Sequence, residues 1–132
     1  MDAPADLTVT GNRGYYRPHG EVSLRQLVDL VDGALAYACA QGIREMLIDL
    51  SGVTGFPSPD VFERYEFASR WARTVGGRVR AAFVPRPEHA DPDKVGVIVA
   101  GNRGFDADLF FTEADAIAWL DSGERRRASW PT

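Results

Sequence analysis

The chain has 132 residues, 45% hydrophobic and 26% charged, which fits one globular domain with its own core and leaves little room for a second. Nineteen acidic against fifteen basic residues give a formal charge of −4, which argues against the uniformly basic footprint of a nucleic-acid binder. A single cysteine, Cys39, excludes an intramolecular disulfide or a cysteine-rich zinc site, and no apolar run approaches the roughly 18 residues of a membrane span.

In chain order, Leu7-Thr8-Val9-Thr10 alternates with the period of a strand and stops at the turn signal Gly11-Asn12-Arg13-Gly14. Tyr15-Tyr16-Arg17 resumes it as the second arm of a hairpin, ended by Pro18 and Gly20. Ser23-Leu24-Arg25-Gln26 is a capping box that opens a helix. Leu24, Leu27, Val28, Val31, Leu35 and Ala38 give that helix one buried stripe, and Gly42 closes it. Met46-Leu47-Ile48-Asp49-Leu50 is short and almost wholly apolar, as a covered strand should be.

A proline- and glycine-rich loop runs from Ser51 to Pro59, and a second helix is expected with Ser58 as its N-cap and Pro59 at its first position. Its apolar positions are Val61, Tyr65, Ala68, Ala72 and Val75, and Gly76-Gly77 ends it. Val79 to Val84 reads as a strand, followed by the turn Pro85-Arg86-Pro87. Val95-Gly96-Val97-Ile98-Val99 has strand composition, but Asp91-Pro92 before it and Asn102-Arg103-Gly104 after it are helix boundaries, and the reading is helix. Asp108 to Phe111 is a last strand, and Thr112-Glu113-Ala114-Asp115 opens a last helix. The order β-β-α-β-α-β-α-β-α predicts an α/β domain over residues 1–120. Its mixed sheet has about five strands, an antiparallel hairpin followed by parallel strands, with about four helices. Residues 121–132 are expected to form a flexible polar tail, in which Arg126-Arg127-Ala128-Ser129 fits a kinase pattern or simply a solvated segment.

Leu47-Ile48-Asp49-Leu50-Ser51-Gly52-Val53-Thr54, followed by a serine at a helix start, resembles the central motif of the STAS superfamily (sulfate transporter and anti-sigma factor antagonist domains). Leu109 to Leu120 is similar to the end of the SpoIIAA-like, or STAS/SEC14-domain, bacterial family, and the resemblance spans residues 6–120. It implies a single STAS-like domain that regulates by binding a protein partner, such as an anti-sigma factor or a kinase, or a second copy. In anti-sigma factor antagonists a serine before the second helix is phosphorylated, and by resemblance that serine is Ser58. Pro57, Pro59 and Asp60 depart from the family's Asp-Ser-Ser/Thr-Gly segment, and Asp60 sets a like charge beside any phosphate. The SEC14-like side of the resemblance implies instead an apolar or lipid ligand, with the third helix as a wall of its pocket.

Ser58 is thus either a phosphate acceptor at the positive end of a helix or an ordinary cap. The loops Ser51–Ser58 and Pro85–Asp91 follow strands that should run parallel, so Ser51, Thr54, Ser58, Arg86 and His89 could share the edge where α/β folds place ligands. Phe67 and Trp71 lie off the apolar stripe of the second helix: they form an exposed docking face, or that helix is buried on two sides. No catalytic constellation emerges. His19 and His89 lack metal-ligand partners, Cys39 reads as an inert thiol, and Asp49 reads as a lone acid without a second carboxylate. The expectation is a cytoplasmic, non-enzymatic protein that uses no metal or cofactor, binds no nucleic acid and does not span a membrane; Met1–Asp6 lacks the basic and apolar regions of a secretory signal.

Overall fold

The computed structural model describes residues 1–123, so Arg126-Arg127-Ala128-Ser129 and the rest of the expected tail from residue 124 lie outside the described residues. Strands β1 (Leu7–Thr10) and β2 (Arg13–Tyr16) form the antiparallel hairpin, with only Gly11 and Asn12 between them. The alternation therefore continues through Arg13 and Gly14, which the sequence placed in the turn. Helix α1 (Leu24–Gln41) follows, then β4 (Glu45–Asp49), α2 (Val61–Val75), β6 (Arg80–Val84), α3 (Val95–Asn102), β7 (Ala107–Leu109) and α4 (Glu113–Ser122). Two short strands, β3 (Gly20–Glu21) and β5 (Val53–Thr54), pair in parallel as a separate small sheet inside segments expected to be loops.

The main sheet has the order β1-β2-β4-β6-β7, parallel after the opening hairpin. Strand order advances in one direction, so successive right-handed crossovers put α1, α2 and α3 on one face. Helix α4 covers the other. The side chains of β4 and β6 divide accordingly. Met46, Ile48, Ala81 and Phe83 join the large core under α1–α3, while Leu47, Ala82 and Val84 meet Ala116 and Leu120 of α4. Both faces are dry, which is why Met46-Leu47-Ile48 is an unbroken apolar run instead of an alternating one.

The capping box of α1 is formed as read: the Gln26 N–H donates to Ser23 Oγ (3.1 Å) and the Ser23 N–H to Gln26 Oε1 (2.8 Å). Helix α2 departs from its reading. Its N-cap is Asp60, not Ser58: the Glu63 N–H donates to Asp60 Oδ1 (2.8 Å) and the Asp60 N–H to Glu63 Oε1 (2.9 Å). Asp60-x-x-Glu63 satisfies two amides reciprocally, which outcompetes the one-sided Ser58-Pro59 start. The segment 95–102 is helical, and Asp91 caps it from a distance. Its Oδ2 accepts the Val95 N–H (2.7 Å) across a turn in which Lys94 takes a left-handed φ of 51°. Helix α4 extends to Ser122, past the expected limit of 120, and its Asp121 pairs with Arg13 (2.8 Å). Among the described residues no helix is long and apolar enough to cross a membrane.

Candidate functional site

The parallel strands β4, β6 and β7 end together, and an apolar cavity of about 100 Å³ lies beneath that edge. Leu24, Leu27 and Val28 of α1 form one wall, and Phe67, Ala68 and Trp71 of α2 another. Gly96, Val97 and Ala100 of α3 form the third, and Phe83, Ala107 and Leu109 of the sheet make the floor. Gly96 faces α2 across this wall: a Cβ there would stand 3.8 Å from the Phe67 ring, in ordinary contact. The rim is polar and carries Arg64, His89 and Asp91 beside Phe56 and Pro59.

One guanidinium organises that rim. Arg64 donates through Nε to the Pro59 carbonyl (3.0 Å), and through Nη2 to Ser58 Oγ (2.9 Å) and the His89 carbonyl (3.2 Å). Its Nε also lies 3.8 Å from the Asp91 carboxylate, with both side chains largely buried. The loop before α2 and the loop after β6 are thus tied to one side chain. His89 closes the same edge: its ring stacks on Phe56 at 4.4 Å and its Nε2 lies 3.0 Å from the Phe56 carbonyl oxygen.

The expected binding residues separate into three places. Phe67, Trp71 and His89 line the cavity, and Ser58 stands at its rim through Arg64. Ser51 and Arg86 meet beside it, where Arg86 Nη1 donates to the Ser51 carbonyl (2.9 Å) and Nε to Glu88 (2.9 Å). Thr54 belongs to the small sheet, where its carbonyl accepts the Val22 N–H (2.8 Å). Trp71 does not form an exposed docking face. It is 7% exposed, stacks on Phe83 (5.5 Å), packs against the tilted Phe67 ring (4.8 Å), and donates from Nε1 to the Val28 carbonyl (3.2 Å). Helix α2 is buried on two sides, between α1 and α3. The exposed apolar residues of this helix are instead Val61, Phe62 and Tyr65, and the sequence pattern counts Val61 and Tyr65 among its apolar stripe. They occupy the first turns of α2, and Arg103, the residue after α3, lies over the Tyr65 ring and donates to its hydroxyl (2.7 Å).

Asp49 is not a lone acid. Glu113, at the start of α4, lies against it, and Arg17 grips Glu113 with two hydrogen bonds (2.8 and 2.9 Å). The Arg17 contact, with help from Asp49, lowers the Glu113 carboxyl to about 2. Burial, reinforced by Glu113, raises that of Asp49, although the Ser51 hydroxyl and N–H both donate to it (2.6 and 2.9 Å). The two carboxyls are pushed apart in acidity, one hindered and one favoured, and their contact ties β4 to α4. Sequence spacing offered no sign of it, because the two acids are far apart in the chain. Cys39 is half-buried, with Sγ 3.7 and 3.6 Å from the Thr74 and Val75 carbonyls. No cluster of three or more His, Cys, Asp or Glu suited to a metal occurs among the described residues.

No protein-family model matches this sequence, and no curated protein matches it significantly.

Proposed function

We propose that this chain is a SpoIIAA-like binding module that performs no chemistry of its own and houses a small apolar group in the cavity at the sheet's C-terminal edge. The observation that carries this reading is the cavity itself: about 100 Å³ walled by three helices and the sheet, almost without polar atoms below its rim. The walls are apolar and the cavity opens at its rim, so an apolar occupant leaves water and gains packing contacts with the walls. The volume is about two-thirds of the ~150 Å³ that accepts a benzene ring. A short alkyl group therefore fits, with the remainder of its molecule at the rim. The position, outside the ends of parallel strands, is where open α/β sheets place ligands. The third helix is a wall of the cavity, in keeping with the SEC14-like side of the resemblance.

The test is a thermal-shift series with linear alcohols from butanol to octanol, run on the wild-type chain and on Gly96→Leu. The leucine projects toward Phe67 and fills the void, so the wild type should gain several degrees with the best-fitting alcohol and the variant should gain none. An unchanged melting temperature across the series, or an equal shift in both proteins, defeats the reading.

A second reading, a protein-docking regulatory domain switched at Ser58, is favoured by a different observation. Val61 and Phe62 are 61% and 80% exposed on the first turn of α2, next to a serine whose hydroxyl already meets Arg64. Ser58 is free of capping duty, and a phosphate on it would gain a charge-assisted contact with that guanidinium. The partner would be a protein such as an anti-sigma factor or kinase. Mass spectrometry of the protein from its native cells should find phosphate on Ser58; its absence under every growth condition ends the covalent version.

A further inference from the structure

The polar groups at the cavity's rim have most of their bonding capacity spent on one another. The Pro59 carbonyl accepts from Arg64 Nε, the His89 carbonyl and Ser58 Oγ accept from Arg64 Nη2, and the Phe56 carbonyl accepts from His89 Nε2. Asp91 is engaged on both oxygens, Oδ1 by the Asp93 N–H (3.0 Å) and Oδ2 by the Val95 N–H (2.7 Å). Pro59 and Pro85 also line the cavity, and neither has an N–H to offer.

Two rim atoms are left over, and they differ in kind. Arg64 Nη1 is a donor for which nothing among the described residues is the acceptor. His89 Nε2 lies 3.0 Å from a carbonyl oxygen, which can only accept, so Nε2 holds the proton of the neutral ring and Nδ1 is a bare acceptor. Among the described residues nothing donates to that Nδ1, and neither leftover atom is sealed from solvent. Both side chains line the cavity, and the bond from Arg64 to the His89 carbonyl ties the two residues together at its edge.

Charge is already balanced there. The Arg64 guanidinium and the Asp91 carboxylate lie 3.8 Å apart in a largely buried setting, and Arg86 pairs with Glu88 (2.9 Å) outside them. A third charge brought to this rim would lose water and meet a like charge, Asp91 for an anion or Arg64 for a cation.

We propose, resting on the reading of the cavity as a binding site, that its ligand is an uncharged amphiphile headed by a hydroxyl or a primary amide. The head's oxygen accepts from Arg64 Nη1, its O–H or N–H donates to His89 Nδ1, and the alkyl stem fills the cavity. An ether or ester accepts but cannot donate, which leaves Nδ1 without a partner. A carboxylate has no proton to give and sets a second negative charge beside Asp91. An ammonium cannot accept and sets a second positive charge beside Arg64.

The experiment measures dissociation constants by NMR titration at neutral pH with five molecules that carry the same butyl chain: butan-1-ol, pentanamide, pentanoate, butylammonium and butyl methyl ether. The alcohol and the amide should bind about tenfold more tightly than the two ions and roughly fivefold more tightly than the ether. His89→Phe keeps a ring to stack on Phe56 and removes Nδ1, so alcohol and ether should bind it equally. Tightest binding by an ion or the ether, no preference among the five, or an undiminished preference for alcohol over ether in His89→Phe overturns the head-group assignment and leaves the cavity reading standing. Binding by none of the five defeats both. If the phenylalanine variant fails to fold, the ranking on the wild-type chain decides.

Discussion

Arg64 stabilises through what its removal would strand. Two carbonyls, a hydroxyl and the Asp91 carboxylate converge on it in a largely buried setting. Arg64→Met keeps most of the volume but strands the half-buried Pro59 and His89 carbonyls and leaves Asp91 without its cation, so it should cost about 2 kcal/mol, read as a lower urea midpoint with unchanged m. The Asp49–Glu113 pair makes a pH prediction with a definite sign. Glu113 titrates near 2 in the folded protein, against about 4.3 in an unfolded chain. Its contribution to stability is therefore whole above about pH 5 and is lost as pH falls toward 2. Asp49, shifted upward, works the other way: the folded state binds its proton more tightly, so acid relieves its burial. Glu113→Gln should flatten the acid limb of the stability curve. It should also lower the Asp49 midpoint in a carboxyl NMR titration without bringing it to the ordinary range, because burial is the larger cause. An acid limb identical to wild type would refute the pairing.

Single elements separate what was legible in the sequence from what was not. Ser23-x-x-Gln26 is a local rule, and the structure obeys it. Asp60-x-x-Glu63 is the same rule written with acids, and Ser58-Pro59 masks it by offering a plausible start two residues earlier. The consequence is measurable: Asp60→Ala should cost about 1 kcal/mol, whereas Ser58→Ala should cost well under half of that, its exposed hydroxyl meeting only Arg64. The reverse order in urea melts would return the cap to Ser58. The small β3–β5 sheet was not legible, because two-residue strands carry no periodicity. Its constraint appears at Gly55, whose φ is +114° and where a Cβ would overlap the Val22 carbonyl oxygen. Gly55→Ala should destabilise by about 2 kcal/mol or more, since both the backbone angle and the close approach resist it.

At the scale of the whole molecule, element order was enough for architecture. Helices alternating with apolar strands force parallel crossovers, and a hairpin at the start forces the mixed sheet. Which face of α2 is wet was beyond the pattern. Val61 and Tyr65 share the period of Ala68, Ala72 and Val75, but the first turns of α2 are left open to solvent. Periodicity reports a face of a helix and not how far its neighbours reach along it. The cavity was half legible: the third helix was expected as a wall, and the edge of the sheet as the place. Arg64 and Phe56 carry no sequence signal and Asp91 signals only a helix boundary, because their roles at the rim arise only when the loops before α2 and after β6 meet.

Trp71 has a practical consequence. Its indole is a wall of the cavity, stacked on Phe83 with the tilted Phe67 ring beside it, so the colour of its emission reports what fills the space next to it. With Trp119 and Trp130 changed to phenylalanine, one fluorophore remains. A molecule settling beside that ring would then announce itself in a cuvette, with no label attached.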